Sequence, residues 1–512
     1  MQMKFTCVDP VEYLYPDITQ YKSGTDKIDI LAARGSYACA QILFSEAEGP
    51  LQIACEGWEP EVYEMVAIPV ETNERMTEEN STPFSPARKA PFYVYDCLKP
   101  CKGEILPEDG VAAVYLSWKI SEDAKPGILQ ASVKAGDVVI PVTVEISSAV
   151  VPAETLPMIL GYNRQSVCKH HNVERNTTEF EELDTAYLTL LRRMRQNGIF
   201  GMPRVKSIEK APNEYEFDFS EVEEYMQKAF SLGYKYMYYM SGHRISWQQS
   251  TILTGDRNLP SMSYEGFCYL AQFLPALSAF LEERGWMDKF VMSLLDEPRE
   301  VNYLEYRALC GIVRKYAPKI RLIDAVSCGE MYGSIDIYIP LSNEYAKHQE
   351  VFETYRKYGD EVWYYDCVVP RGNGYINRFM DDLLLTSRYH GWANYAYDLR
   401  GYLHWATNAY QPGQDPFKQS CPEHRNTDSV CILPPGDTHL VYPGTDGPWM
   451  SVRFENFRAG TEEFEMLKKL AETNKELADE ICGTVFHSFT DVEYDPAVFR
   501  AVRNKLIRAL EK

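Results

Sequence analysis

Two carboxylates stand side by side near the middle of the sequence, directly after an apolar run. The segment KFVMSLLDEP, residues 289–298, ends in Asp296, Glu297 and Pro298. A carboxylate buried without a partner is unstable, and two neighbouring carboxylates also repel each other. This repulsion raises the pKa of one of them, and a general acid that works near neutral pH needs such a raised pKa. We therefore interpret Asp296 and Glu297 as a catalytic pair, in preference to helix-capping residues or partners of Arg299.

The adjacency of the two carboxylates narrows the chemistry. Paired carboxylates are typical of glycoside hydrolysis, but an ordinary retaining glycosidase holds its two carboxyl groups ~5–5.5 Å apart and takes them from different strands. Neighbouring strand residues point to opposite faces, so an adjacent pair fits that arrangement poorly. It fits substrate-assisted cleavage better, in which the 2-acetamido oxygen of the sugar attacks the anomeric carbon. Because Pro298 restricts the residue before it, we expect Glu297 to be extended and strand-like.

Polar and aromatic residues also follow the other predicted strands. In a parallel barrel, active-site residues lie at the carboxyl ends of the strands or on the loops that follow them. Under this rule the candidate substrate-binding residues are His243, Arg244, Asn343, Tyr365, Asp366, Trp405, Asn408 and Asp437. Trp405 is a candidate floor for a sugar ring, and Tyr365 is a candidate donor to an acetamide oxygen. Each residue also has a purely structural interpretation, as a core aromatic, a helix cap or a turn residue.

The segments that must position these residues alternate between β-like runs and amphipathic helices. The strand candidates cover 157–163, 199–205, 235–243, 289–298, 320–328, 336–343, 361–370 and 401–410. The helix candidates cover 181–198, 220–233, 264–285, 302–318, 346–359, 376–391, 451–477 and 495–512. Such alternation predicts parallel strands with crossover helices, and eight units predict a closed (β/α)8 TIM-like barrel. GYNRQS follows the first strand where a doubly wound nucleotide-binding fold would have a Gly-rich loop, which disfavours that alternative.

The sequence before the barrel has a different periodicity. Short alternating runs such as YACAQILF (37–44) and VVIPVTVEISSAV (138–150) are separated by turn residues. Short strands with turns between them predict a β-sandwich, here Ig-like and preceding the α/β barrel. The predicted domains are the sandwich at 1–152, the catalytic barrel at 153–478 and a helical tail at 479–512. Residues 411–447 form a long excursion that we expect over the barrel mouth.

The amino-acid composition disfavours several classes of binding partner. With 52 Lys and Arg against 74 Asp and Glu, the net charge of −22 disfavours nucleic acid and anionic membranes. Thirteen scattered Cys argue against a disulfide framework and favour a reducing compartment. Neither a signal peptide nor an apolar span is visible, which predicts a cytoplasmic protein. No metal-ligand spacing appears, so we expect no metal and no cofactor. The sequence leaves the oligomeric state open, including a homo-oligomer.

Several short motifs resemble family 123 of the glycoside hydrolases in their order and spacing. They are SLLDEP (293–298), GYLHWATNAY (401–410), GDTHLVYPG (436–444) and SVRFENFRAG (451–460). The resemblance spans roughly residues 30–475 and implies a retaining exo-β-N-acetylgalactosaminidase. It also implies that Asp296 orients the acetamido group and that Glu297 is the general acid and base. The implied partner is a glycan or glycoconjugate with a terminal β-linked N-acetylhexosamine.

Two other functions remain open. One is a glycosidase acting on a sugar without an acetamido group, with Asp366 or Glu344 as a separate carboxylate nucleophile. The other is a catalytically silent, carbohydrate-binding relative that keeps the fold. An esterase is disfavoured because the sequence has no Gly-x-Ser-x-Gly nucleophile elbow.

Overall fold

The structure is a computed structural model, and it describes residues 3–73, 87–326, 331–372, 374–425 and 430–511. The last two residues of the predicted fifth strand, 327 and 328, lie outside the described residues. The strands of the N-terminal part are β1 (Lys4–Val8), β2 (Ile28–Arg34), β3 (Tyr37–Ser45), β4 (Ile53–Glu56), β5 (Glu61–Val70), β6 (Phe92–Pro100), β7 (Ala112–Lys119), β8 (Gly127–Ala135) and β9 (Val138–Val150).

These nine strands form two sheets that share one apolar core. One sheet is antiparallel and contains β1, β3, β7, β5 and β6 in that order, and the other has the order β2-β9-β8-β4. Alternating side chains of both sheets, such as Ile42, Val114, Ile140 and Val144, are buried between them. Because strand side chains alternate between faces, the alternating runs of the sequence produce a core on one face of each sheet.

The central part of the chain supplies a second set of strands. They are β10 (Met158–Gly161), β11 (Gly198–Phe200), β12 (Lys206–Ala211), β13 (Glu214–Asp218), β14 (Tyr236–Met240), β15 (Gly242–His243), β16 (Leu253–Thr254), β17 (Leu259–Pro260), β18 (Phe290–Ser293), β19 (Arg321–Val326), β20 (Ile337–Pro340), β21 (Glu361–Val362), β22 (Tyr364–Tyr365) and β23 (Tyr402–His404).

Nine of these strands form one parallel sheet in the order β21-β20-β19-β18-β14-β11-β10-β23-β22. Its two end strands, β21 and β22, are separated only by Trp363, and Leu341 forms a parallel bridge with Tyr365. The sheet is therefore a nearly closed, barrel-like structure. Its interior is filled by apolar side chains that include Ile159, Val291 and Ile339.

Helices connect most of the parallel strands. They are α1 (Arg164–His171), α2 (Thr178–Arg193), α3 (Ser220–Ser231), α4 (Tyr264–Glu283), α5 (Tyr303–Tyr316), α6 (Ser342–Lys347), α7 (Gln349–Lys357), α8 (Tyr389–Ala396), α9 (Val452–Val485) and α10 (Pro496–Ala509). Side-chain oxygens of Thr177, Ser263 and Ser451 cap α2, α4 and α9 by accepting from backbone N–H groups of the first turn. In the described part of the chain, no helix is long and apolar enough to cross a membrane.

The helix predicted over 376–391 begins later than expected. The chain forms a short 3-10 helix over Leu384–Arg388 and then α8, whereas residues 376–383 are not helical. The Asn377 amide donates to the carbonyls of Cys367 and Pro370, both at 3.1 Å, and so holds this stretch as a loop. Side-chain hydrogen bonds to the backbone compete with helix formation in this way.

The excursion after β23 joins the two parts of the molecule. It contains β24 (Glu423–Arg425) and β25 (Val430–Ile432), followed by β26 (Val441–Gly444) and β27 (Gly447–Ser451). β27 pairs with β6, so β26 and β27 extend the larger N-terminal sheet. The buried ion pair between Arg453 and Asp96, at 2.9 Å, fastens α9 to the same sheet. The domain boundary at 152/153 stays a prediction, since one sheet draws strands from both sides of it.

The end of the chain packs on the same elements. β28 (Phe486–Ser488) and β29 (Asp491–Val492) form a hairpin between α9 and α10. A cavity of about 120 Å³ lies between the N-terminal sheets, α9 and α10, lined in part by Arg458, Glu462 and Arg503. None of the candidate site residues lines it, so this cavity is separate from the barrel mouth.

Candidate active site

Asp296 and Glu297 lie in a bend at the exit of β18. The strand ends at Ser293, and residues 294–297, which we call the carboxylate bend, follow it. Glu297 has a φ of 47°, in the left-handed region. The prediction of an extended Glu297 is therefore wrong. A non-glycine residue holds such a strained conformation only where its surroundings fix it, and such residues concentrate at functional sites.

The backbone behind the bend is packed tightly. Gly242, which opens β15, lies so close to the Leu294 carbonyl oxygen that a Cβ atom would be 2.1 Å from it. Arg244 then donates from its guanidinium to the carbonyl oxygens of Asp296 and Glu297, the latter at 3.1 Å. The loop after β14 therefore holds the carboxylate bend from one side.

Asp296 is the more exposed of the two carboxylates, with 52% of its side-chain surface accessible and Arg244 at 3.8 Å. Lost hydration and repulsion from Glu297 raise the pKa of Asp296 to about 7, while Arg244 and Arg299 oppose the rise. Asp296 therefore changes between its protonated and ionised forms near neutral pH.

Glu297 is less exposed, at 18% of its side-chain surface. The Tyr365 hydroxyl donates a hydrogen bond to its carboxylate, and the Arg299 guanidinium lies 4.0 Å from its other oxygen. Tyr365 belongs to β22, which pairs with β23 and forms a bridge to Leu341. The structure thus brings Glu297 and Tyr365 together from strands that are not neighbours in the sheet.

Trp405 and Asp437, two further candidates, are in direct contact. The Trp405 indole N–H donates to the Asp437 carboxylate over 3.2 Å. Trp405 is half-buried, whereas Asp437 is 0% exposed and lies 3.5 Å from the His404 ring. Burial raises the pKa of Asp437 to about 6, and Arg378 opposes the rise. Asp437 is thus placed behind Trp405, as its support.

Asp366 and Asn408 are also buried. The Tyr402 hydroxyl donates to Asp366 at 2.8 Å, and burial raises the pKa of Asp366 to about 7. Asn408 accepts from the Asn163 N–H at 2.8 Å and donates to the Asn163 carbonyl at 3.1 Å. In this conformation neither side chain has the exposed surface that contact with a sugar requires.

The remaining candidates line the same end of the sheet. His243 is half-buried in β15, and burial lowers its pKa. Its Nδ1 atom is buried and has no hydrogen-bond partner among the described residues, and the same holds for the side-chain oxygen of Asn343 in α6. The Arg244 guanidinium donates to backbone carbonyl oxygens of the carboxylate bend, as described above.

Two residues near the bend were missed by the sequence analysis. Trp247 lies under the guanidinium groups of Arg244 and Arg299, with 3.5 and 4.4 Å to its ring centroid. Asp324, in β19, is 0% exposed and accepts from the Leu294 N–H at 3.1 Å. The signal for Asp324 was available, since a charge inside the apolar run IRLIDAV is costly unless it is hydrogen-bonded.

The residues around the bend offer carboxylates, guanidinium groups and aromatic rings. Among the described residues, no group of three or more His, Cys, Asp or Glu side chains could hold a metal ion. The described cysteines are all free. The chemistry that this arrangement supports is proton transfer by a carboxylate pair beside aromatic surfaces.

A comparison with known protein families shows which family this chain belongs to. Residues 165–470 match the family profile described as "Glycoside hydrolase 123, catalytic domain", which is more than half of the chain. The chain belongs to glycoside hydrolase family 123. Family membership supports glycosidase activity with a glycan as substrate, and it confirms the resemblance seen in the sequence motifs. A comparison with curated proteins finds no match.

A solved family 123 structure shares the whole architecture. The glycoside hydrolase from Clostridium perfringens, studied for glycolipid glycan hydrolysis, superimposes with a TM-score of 0.77 at 14% identity, covering 99% of this chain and 98% of that one. A family 39 glycoside hydrolase from Bacteroides cellulosilyticus WH2 gives a TM-score of 0.38 at 12% identity, with 85% and 82% covered. The first comparison shows a common fold with a family 123 enzyme.

Proposed function

We propose that this family 123 protein is a retaining exo-β-N-acetylgalactosaminidase that uses the substrate's own 2-acetamido group as nucleophile. The observation that carries the proposal is the adjacent Asp296–Glu297 pair, both members accessible, in a bend at the exit of β18. We also interpret the nearly closed sheet as a (β/α)8 barrel in which β21 and β22 are one strand interrupted at Trp363.

The alternative nucleophiles are less well placed. Asp366 is 0% exposed and hydrogen-bonded to Tyr402, so it cannot approach an anomeric carbon without rearrangement of its surroundings. Glu344 lies in α6, 3.7 Å from His348, with which it forms an i,i+4 pair. If no carboxylate of the protein reaches the anomeric carbon, the nucleophile must come from the substrate. The acetamido oxygen can supply it.

The reaction then has two balanced steps. The acetamido oxygen attacks the anomeric carbon while the bond from that carbon to the glycosidic oxygen breaks and Glu297 gives its proton to that oxygen. The leaving group departs as an alcohol, and the oxazoline-like intermediate is an oxazolinium ion that keeps its N–H proton. Water next attacks the anomeric carbon, Glu297 takes the proton from the water, and the acetamido group is restored. Two inversions at one carbon retain the configuration.

Asp296 has the role of holding the acetamido N–H. As an anion it accepts a hydrogen bond from that N–H, which makes the acetamido oxygen a better nucleophile. The acetamido N–H facing Asp296 favours the anion of that residue, and Glu297 has the separate role of general acid. Trp405 forms the floor of the sugar site, with Asp437 behind it, and Tyr365 orients Glu297.

The experiment compares a 4-nitrophenyl β-N-acetylgalactosaminide with the matching β-galactoside. We expect hydrolysis of the acetamido sugar only, tight inhibition by the thiazoline that mimics the cyclised acetamide, and loss of activity in Glu297→Gln. Asp296→Asn should be much slower on the acetamido sugar. Equal hydrolysis of both sugars, with no thiazoline inhibition, would support a separate nucleophile. A chain that binds the sugar without hydrolysing it would be a silent relative.

A further inference from the structure

Asp324 is a fully buried carboxylate in β19, the strand that pairs with β18. Every hydrogen bond that its side chain makes is accepted from a donor on a neighbouring segment. The donors are the hydroxyls of Ser293, Tyr306 and Tyr238 and the backbone N–H groups of Leu294 and Leu295. A carboxylate offers about four lone-pair sites on two oxygens, so this set of donors fills it.

The two backbone donors are the first two residues of the carboxylate bend. The N–H of Leu294 lies 3.1 Å from an oxygen of Asp324, and the N–H of Leu295 lies 3.5 Å from the same oxygen. Tyr306, from α5, donates to that oxygen as well. Asp324 therefore fixes the direction in which the chain leaves β18, immediately before the catalytic pair.

The other half of the bend is fixed from the opposite end. Arg244 donates to the carbonyl oxygens of Asp296 and Glu297, while Asp324 accepts from the N–H groups of the preceding two residues. Each of the four residues 294–297 thus has one backbone group held by the side chain of Asp324 or of Arg244. Glu297 keeps its left-handed φ of 47° between these contacts. Backbone strain of this kind persists where several contacts from the surroundings fix the conformation.

We propose that Asp324 is a positioning residue for the reaction: by holding the start of the carboxylate bend, it aims the Glu297 carboxyl at the glycosidic oxygen. It touches no substrate and acts through Glu297. The inference rests on the proposed function, because it takes Glu297 as the general acid. If Asp324 has this role, loss of its carboxylate should impair protonation of the leaving group by Glu297 more than it impairs attack by the acetamido oxygen.

The test uses leaving groups that differ in their need for a proton. A 2,4-dinitrophenolate departs without protonation, whereas methanol requires it, so impaired acid catalysis slows only the methyl glycoside. Asp324→Asn keeps the shape but replaces one acceptor oxygen by an N–H₂ group that faces donors. We expect kcat/KM for methyl β-N-acetylgalactosaminide to fall about 100-fold, as for a small misplacement of a catalytic group, and that for the dinitrophenyl glycoside to fall far less.

Asp184→Asn is the matched control. Asp184 is a second 0% exposed carboxylate, in α2, and it accepts from Tyr162 at 2.8 Å and Lys228 at 2.6 Å, away from the bend. Its loss should lower the melting temperature and change the rates on both glycosides by the same factor. If Asp324→Asn also slows both glycosides equally, its role is structural and the inference is overturned.

A milder variant covers the case in which Asp324→Asn does not fold. Tyr306→Phe removes one donor to Asp324 and leaves the carboxylate in place, so we expect the same leaving-group selectivity with a smaller loss. A uniform loss, or none, in this variant contradicts the inference. If the wild-type protein hydrolyses neither acetamido sugar, the proposed function fails and the inference fails with it. An active wild type with unselective variants overturns the inference alone.

Discussion

The Tyr365 hydroxyl donates a hydrogen bond to the Glu297 carboxylate across the mouth of the barrel-like sheet. Glu297 follows β18 and Tyr365 ends β22, and these strands are not adjacent in the sheet. The contact gives Glu297 a fixed direction that its own bend does not determine, because a glutamate side chain has several free torsions. Tyr365 is buried, so the donor itself is held rigidly.

Tyr365→Phe should therefore lower kcat with little effect on the fold. We expect a loss of about tenfold or more, the scale on which a misdirected general acid loses efficiency. Tyr364→Phe is the control, since the Tyr364 hydroxyl is buried and donates to the His390 carbonyl at 3.0 Å instead. Steady-state kinetics on methyl β-N-acetylgalactosaminide, whose leaving group needs a proton, measure both variants. Equal activity of Tyr365→Phe and the wild type would falsify this role.

Asp296 should set the acidic limb of the pH profile. Its pKa is raised to about 7, and the proposed mechanism needs its anion, so kcat/KM should fall as the pH drops below about 7. Arg299 opposes the rise in that pKa, so Arg299→Gln should move the limb to higher pH. The measurement is kcat/KM between pH 5 and 9 for both proteins. A limb that stays in place, or moves to lower pH, contradicts the assignment of Asp296.

Trp405 and Asp437 should act as one unit in sugar binding. Trp405→Ala removes the proposed floor, and we expect KM to rise roughly tenfold, which corresponds to about 1.4 kcal/mol of lost binding. Asp437→Ala leaves the ring in place but removes the partner of its N–H, so we expect a smaller rise in KM. The double variant should be no worse than Trp405→Ala, since coupled residues are not additive. Additive losses of affinity would show that Asp437 acts independently.

Asp366 should make the stability of the protein depend on pH. Its folded pKa is about 7, above the ordinary unfolded value of about 3.9, so the folded state keeps a proton that the unfolded chain loses between these values. Stability contributed by the protonated group is thus lost as the pH rises from about 4 to 7. Asp366→Asn imitates the protonated form, and its melting temperature should gain on the wild type between pH 5 and 8.

The control for that experiment is Asp137→Asn, in the exposed turn between β8 and β9. Its melting temperature should follow that of the wild type at every pH. If Asp366→Asn also follows the wild type from pH 5 to 8, then Asp366 is ionised throughout and the burial argument is wrong.

Much of the fold could be predicted from the sequence because its periodicity is strong. The apolar runs before Asp296 and Asp366 form buried parallel strands, as predicted. The helix predicted over 181–198 from its amphipathic spacing is observed over Thr178–Arg193. The break at Trp363 and the late start of α8 were not predictable, because they depend on contacts made from other segments. The extension of the N-terminal sheet by β26 and β27 is also such a long-range pairing.

The candidate site was predicted in part. The rule that active-site residues lie at the carboxyl ends of barrel strands selected Asp296, Glu297 and Tyr365, and the structure brings Tyr365 and Glu297 into contact. Their catalytic roles stay predictions. The left-handed Glu297 did not follow, since the preference of a residue before proline was outweighed by the contacts of Asp324 and Arg244. Which polar side chains face the mouth could not be read from spacing alone, and Asp366, Asn408 and Asp437 are buried instead.

If the substrate's acetamido oxygen is the nucleophile, a weaker acetamido oxygen must slow the reaction. The most direct test replaces the N-acetyl group of an aryl β-galactosaminide by mono-, di- and trifluoroacetyl groups, which progressively weaken that oxygen while leaving the ring and the aglycone unchanged. We predict that kcat/KM falls steeply with each added fluorine. A rate that does not depend on the number of fluorine atoms would contradict substrate assistance and point to a nucleophile in the protein.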